Sequence, residues 1–252
     1  MEKELPPKTE QVIRVPLAPE QQELYDEVRN LSAQRVMSAI KAKGIGASTV
    51  TILDALLKLR QVACHPQLLK MDIAEGVEAS SKHDILRELV TEAVAEGHRL
   101  LIFSQFTSHL AIVREWLDSE NLAHFYLDGR TRKRQALVDR FNAADGPPVF
   151  LISLKAGGTG LNLTAADYVI HLDPWWNPAV EDQAINRCHR IGQTRDVEVY
   201  RFIVEGSCET KMIKIHEKKK KLSKALLLEG SSMGNSKKSR ALNLDDLKTF
   251  FT

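Results

Sequence analysis

The chain has 252 residues, 43% of them hydrophobic and 27% charged, with a formal net charge of +2. That length and mixture exclude a disordered chain and fit one large globular domain, or a domain with an accessory piece. So small a net charge excludes a wholly basic nucleic-acid binder, and any anion site has to come from local clustering.

The N-terminal stretch MEKELPPKTEQ lacks the apolar core of a signal peptide, and no run of about 18 apolar residues occurs, so a soluble intracellular protein is expected. Residues 1 to about 80 read as mostly helical. Leu24, Val28, Leu31, Val36 and Ile40 recur at near-helical spacing, as do Ile52, Leu53, Leu56, Leu57 and Leu59, and the two helices flank a turn from Gly44 to Gly46. From Ser81 the pattern alternates. SKHDILRELVTEAVAEG reads as a helix closed by Gly97, RLLIFSQ as a buried strand and TSHLAIVREWLDSEN as a helix. AHFYLDG, PVFLISL, DYVIHLD and DVEVYRFIV follow as strands, with helices RKRQALVDRFNAA and NPAVEDQAINRCHRI between them. Such alternation predicts an α/β fold, a parallel sheet with helices on both faces. After Gly206 a long helix is expected, with seven lysines and one glutamate between Lys211 and Lys224. A polar, flexible tail is expected beyond it.

Three cysteines, Cys64, Cys188 and Cys208, are too few and too scattered for a disulfide framework, and none pairs at C-x-x-C spacing. The couples Cys64–His65 and Cys188–His189 fit no zinc-ligand spacing, so no metal site is expected on this chain. His171 reads as a core histidine of its strand.

The segment DQAINRCHRIGQ, residues 182–193, packs Arg187, His189 and Arg190 into four positions. Asn177 followed by Pro178 is a good helix start, and the helix is expected to run through Gly192. On such a helix Gln183, Arg187 and Arg190 fall within roughly 60° of one another, while Ala184, Cys188 and Ile191 form an adjoining apolar stripe toward the sheet. Two guanidiniums held one turn apart suit a polyanion such as a triphosphate. A solvated basic face is the other reading. Upstream, VFLISLKAGGTGLNLTAADYVIHLDP is a buried strand, a loop with Gly157, Gly158 and Gly160, and a second buried strand. Glycines there let backbone amides approach phosphate oxygens at the strand ends.

Together with DPWWNPAVEDQAINRCHRIGQ, these residues resemble the second RecA-like lobe of the Swi/Snf family of superfamily-two, DNA-dependent ATPases. LLIFSQF resembles the family's motif IV, YLDGRT the motif after it, LISLKAGGTGLNL motif V and QAINRCHRIGQ motif VI. Asn186 stands where the family usually has aspartate or another small residue, and Arg130 where serine or threonine is commoner. The resemblance implies an inter-lobe connector and helical protrusion over residues 1–80, the lobe itself over 81–205, a basic brace helix over 206–229 and the tail over 230–252.

It also implies roles. Arg187 and Arg190 resemble arginine fingers that reach across a cleft to ATP. Gln183, Gly158, Gly160 and Asn162 resemble nucleotide-binding positions, although Asn162 also fits a loop-stabilising side chain. Ser104, Gln105, Arg130, Thr131, Ser153, Lys155 and Thr159 resemble contacts to the DNA backbone; for Ser153 a strand end, and for the arginines a solvated charge run, are the alternatives. One of Trp175 and Trp176 is expected to pack on the lobe and brace the arginine helix. No G-x-x-x-x-G-K-[ST] sequence is present, and GIGAST at residues 44–49 lacks the lysine that reaches the β and γ phosphates. Glu181 and Asp182 lie within a helix and not at a strand end. ATP and magnesium are therefore expected to bind mainly through a first RecA-like lobe outside this sequence, and the chain is expected to be a piece of a longer enzyme. The partners implied are that first lobe and double-stranded DNA held by its backbone, with no membrane, in bacterial cytoplasm or in a nucleus. Alone, the fragment is expected to be inactive. The competing reading is a non-catalytic DNA- or protein-binding module.

Overall fold

The computed structural model describes residues 5–154, 156, 160–175, 177–215, 217 and 250. They fall into two compact units, one of the described residues up to 15 with those of 80–203, the other of 16–79 with the described residues from 204 onward.

The first unit is a six-stranded sheet. Its strands are β1 (Lys8–Val15), β2 (Leu100–Ser104), β3 (His124–Leu127), β4 (Val149–Ser153), β5 (Tyr168–His171) and β6 (Val197–Val204), in the order β1-β6-β5-β2-β4-β3. The pairs β2/β4, β2/β5, β3/β4 and β5/β6 are all parallel, as the alternating sequence predicts. The central strands are apolar on both faces because both are covered: β2 and β4 are buried at every position. Helices α3 (Ser81–Ala95) and α4 (Thr107–Ser119) lie against β2, burying Leu86, Val90, Leu110, Val113 and Leu117. The other core gathers Leu101, Phe103, Phe150, Ile152 and Val169 with Val138 and Phe141 of α5 (Arg134–Asn142) and Ala184 and Ile185 of α6 (Pro178–Ile185). Leu154, Ala156, Leu161, Leu163 and Ala166, from the connection between β4 and β5, join it.

Strand β1 departs from the helical reading of the first eighty residues. It is an edge strand, polar and largely exposed, and Glu10 pairs with Arg201 of β6 at 2.5 Å. Its apolar positions Val12, Ile13 and Val15 are too few to give a strand period by themselves; the open edge of β6 supplies the missing backbone partners. Burial alone would raise the Glu10 carboxyl, but Lys8 and Arg201 outweigh it and hold it at about 2.

In the second unit helix α1 (Pro19–Ala47) packs on α2 (Thr49–Cys64). Gly44 sits at φ +74°, outside helical geometry, at the turn read from the sequence. Leu24, Val28 and Val36 of α1 and Ile52, Leu56 and Leu59 of α2 are buried, whereas Leu31, Leu53 and Leu57 are exposed. Residues 208–215 are helical, and the Cys208 N–H donates to the buried Tyr25 hydroxyl at 2.7 Å. The lysines from 218 onward and the tail to 249 lie outside the described residues.

Candidate functional site

Parallel strands place the carboxyl ends of β2, β3, β4 and β5 on one edge of the sheet, where the intervening loops can hold a ligand. Ser104 and Ser153 sit side by side in register at that edge, and both are buried. The Ser104 hydroxyl donates to the carboxylate of Asp173, which also accepts the Gln105 N–H at 3.3 Å. Ser104 Oγ in turn accepts the Phe106 N–H at 3.0 Å, and its carbonyl accepts the Leu154 N–H at 3.0 Å. Ser104 therefore shapes the loop between β2 and α4. Gln105, half-buried beside it, has an Nε2 that makes no hydrogen bond among the described residues.

The β3–α5 loop is folded around Asp128. Burial would raise that carboxyl, but the Arg130 N–H and the hydroxyls of Thr131 and Tyr126 hold it below the usual range. Thr131 thus spends its hydroxyl within the turn, while Arg130 is exposed. Arg134 reaches from this loop to the next: its guanidinium donates to the carbonyls of Thr131, Gly129 and Ala156 at 3.1 to 3.4 Å. Lys155, Gly157, Gly158 and Thr159 lie outside the described residues. Gly160 is exposed, with nothing within 4 Å of where a Cβ would stand, and Asn162 is exposed too. Asn142 of α5 clamps the loop exit, donating to the Asn162 carbonyl at 2.7 Å and accepting the Ala165 N–H at 3.2 Å.

Beyond β5, Asn177 caps α6 through the Ala179 N–H at 3.2 Å, with proline following, as its sequence predicts. Trp175 is half-buried against the core, and its N–H donates to Glu181 of α6 at 2.7 Å. Burial pushes the Glu181 carboxyl up, opposed by that N–H and by Arg201, which donates to it at 3.1 Å. Burial also brings His171 down to about 3, with Arg201 adding to the effect. It stacks on Phe103, a core histidine as read. Trp176 lies outside the described residues.

The helix expected through Gly192 ends at Ile185. Residues 186–192 form tight turns, with the Arg187 N–H on Ala184 and the Arg190 N–H on Cys188. The Arg187 carbonyl accepts the Leu163 N–H at 2.9 Å, so a neighbouring segment takes the place of a further helical turn. The face computed for a continuous helix is therefore not the geometry of the arginines. Ala184 and Cys188 are buried as predicted, but Ile191 is 87% exposed, and the apolar stripe stops at Cys188. Arg187 is only 6% exposed, and burial lowers its pKa from the usual arginine value without discharging it. Gln183 and Arg190 are exposed.

Sequence reasoning missed the residues that tie these loops together, because none sits in a pattern of its own. Lys82, fully buried, donates to the Leu172 carbonyl at 2.7 Å. Asp167, at the amino end of β5, accepts from His98 at 2.8 Å, the Arg99 N–H at 2.9 Å and Arg195 at 3.0 Å. Gln193 is buried at the end of the arginine turn, with both ends of its amide engaged.

Residues 81–192 match the family described as helicase conserved C-terminal domain, and residues 1–68 match the SNF2-related domain. The Sulfolobus solfataricus SWI2/SNF2 ATPase C-terminal domain superposes with a TM-score of 0.72 at 30% identity, covering 96% of this chain and 97% of that one. The chain belongs to the SNF2 family. It corresponds to the C-terminal lobe of these superfamily-two ATPases, and its sheet is their RecA-like α/β fold. Three further comparisons agree. The core of the Sulfolobus ATPase in complex with dsDNA gives a TM-score of 0.73 at 33% identity, over 96% of this chain and 50% of that one. An uncharacterized ATP-dependent helicase of Mycoplasma genitalium is 37% identical over 90% of this chain and 21% of its own length, and the chromatin remodeling factor mit1 of Schizosaccharomyces pombe is 36% identical over 92% and 18%. The chain spans about a fifth of the length of the curated relatives it matches.

Proposed function

We propose that this chain is the second motor lobe of an ATP-driven translocase on double-stranded DNA, remodelling protein–DNA complexes. Arg187 and Arg190 act as its fingers toward a triphosphate held by a first RecA-like lobe. Gln183, Gly158, Gly160 and Asn162 line the nucleotide side. Gln105, Arg130, Thr131, Lys155 and Thr159 track DNA phosphates, with Ser104 and Ser153 setting the loops from beneath. The observation that carries the reading is the bond from the Leu163 N–H to the Arg187 carbonyl. It fastens the exit of the glycine-rich loop directly to the arginine turn, so a shift imposed by DNA on one moves the other. The Sulfolobus core solved with dsDNA supports the choice of DNA as ligand.

Magnesium does not fit the carboxylates described here. Asp173 is buried on Ser104 and Gln105, and Asp128 is taken up by Arg130, Thr131 and Tyr126. The metal is assigned to the first lobe, and no step is drawn through it. The chain's own part is to place guanidinium charge where negative charge develops on the transferring phosphoryl group. No helix among the described residues is long and apolar enough to cross a membrane, and a nuclear or bacterial cytoplasmic setting goes with DNA as the track.

ATP hydrolysis by the purified chain, with and without duplex DNA, tests the division of labour. The chain alone should show no turnover above background, and joining the first lobe should restore DNA-stimulated turnover. DNA-stimulated hydrolysis by the chain alone that survives Arg187→Ala would contradict it.

A further inference from the structure

Gln193 uses its whole hydrogen-bonding capacity. Its Nε2 donates to the carbonyls of Ala166 at 2.8 Å and Cys188 at 3.3 Å, and its Oε1 accepts the N–H groups of Thr194 at 2.9 Å and Arg195 at 3.0 Å. Two donors and two acceptor sites are all that a primary amide has. Those four partners lie on both sides of one seam. Cys188 opens the turn that carries Arg190, and its carbonyl also accepts the Arg190 N–H at 3.1 Å. The Gln193 N–H donates to the Arg190 carbonyl at 3.0 Å, so both peptide groups of Arg190 are fixed within Gln193's reach. Ala166 belongs to the segment leaving the glycine-rich loop, three residues beyond the Leu163–Arg187 bond. Gly192, at φ +104°, supplies the reversal that brings the amide back over the turn.

We infer that Gln193 is the positioning residue for Arg190 in the arginine turn, holding it in register with the glycine-rich-loop segment. The inference rests on the finger reading of those arginines. Gln193 itself is 8% exposed, with its amide engaged by the protein's own backbone. An exposed guanidinium on a short turn has little else to orient it, and an error of about 1 Å in placing a catalytic group can cost on the order of 10²-fold in rate.

Gln193→Glu is the discriminating variant. The carboxylate keeps the acceptors for Thr194 and Arg195 but turns an oxygen toward two carbonyls, which breaks the seam with almost no change in shape. In the chain by itself, amide hydrogen exchange over residues 186–195 should accelerate at least several-fold, while β2 and β4 stay protected. In the two-lobe ATPase, single-turnover hydrolysis should fall on the order of 10²-fold with DNA affinity unchanged. The same substitution placed on Arg190→Ala should cost little more than Arg190→Ala alone, because the group it positions is already gone. Gln193→Asn, which keeps the amide but is one methylene short, should behave like Gln193→Glu. Unchanged exchange in the turn, or a full and independent loss of rate in the Arg190→Ala background, would overturn the inference. Wild-type turnover by Arg190→Ala would instead sink the finger reading, while the exchange measurement still reports whether Gln193 holds the turn.

Discussion

Arg187 and Arg190 stand three residues apart in different surroundings, one buried among core residues and one in solvent. What fixes them is a set of buried polar side chains at the seams between loops. Asp167, at the amino end of β5, holds another seam through three donors. Burial would raise its carboxyl, but His98, the Arg99 N–H and Arg195 together hold it below the usual aspartate value. A carboxyl whose folded pKa is depressed contributes stability in full above its unfolded value near 3.8, and loses it as pH falls through the lower folded value. Asp167→Asn should therefore cost about 2–4 kcal/mol at pH 7. The gap between variant and parent should narrow as pH is taken below about 4. Urea denaturation of both at pH 7 and pH 3 measures it, and a gap that widens in acid would contradict the assignment.

At the scale of elements, α6 and the turn after it show what decides a boundary. Pro178 and Asn177 start the helix by local chemistry that is legible in sequence. Its end is set by partners outside the helix, with Leu163 from an earlier segment taking the Arg187 carbonyl and the Gln193 side chain taking that of Cys188. Neither competitor can be read from a 3.6-residue period. The same holds for β1, which pairs with β6 nearly two hundred residues away. The strands β2 to β6 and helices α3 to α5 were legible because apolar runs and amphipathic stripes recur in register with their own periods. The arginines and the loops around them were visible as a pattern. The buried amides and carboxylates that hold those loops were not, since a lone Gln193 or Asp173 carries no signal before its neighbours are known. Gly192 is a residue whose turn does demand it, at φ +104°. A Cβ there meets only the Thr164 side chain at 3.8 Å, so the cost of Gly192→Ala is backbone strain, about 1–3 kcal/mol, without a clash. A denaturation midpoint equal to that of the parent would show that the turn tolerates an L side chain.

For the whole molecule, the loops at the carboxyl edge of the sheet are proposed to take phosphates of a DNA strand, and the arginine turn, fastened through Gln193 to Ala166 just before β5, a triphosphate. Membership in the SNF2 family gives that arrangement its context, and the remainder of an ATP site is assigned, as proposed, to a first lobe. Contacts to phosphates carry no base information, so the DNA surface should bind without sequence preference and weaken steeply with salt. If the arginine turn serves the nucleotide, as proposed, changing it should leave that binding alone. The most direct measurement is steady-state ATP hydrolysis at saturating duplex DNA, beside a DNA-binding titration, for the two-lobe ATPase and its Arg190→Ala variant. Turnover should fall on the order of 10³-fold, about 4 kcal/mol of transition-state stabilisation, with DNA affinity within roughly twofold of the parent. Collapse of DNA binding with hydrolysis per bound complex intact would place Arg190 on the DNA surface and contradict the account.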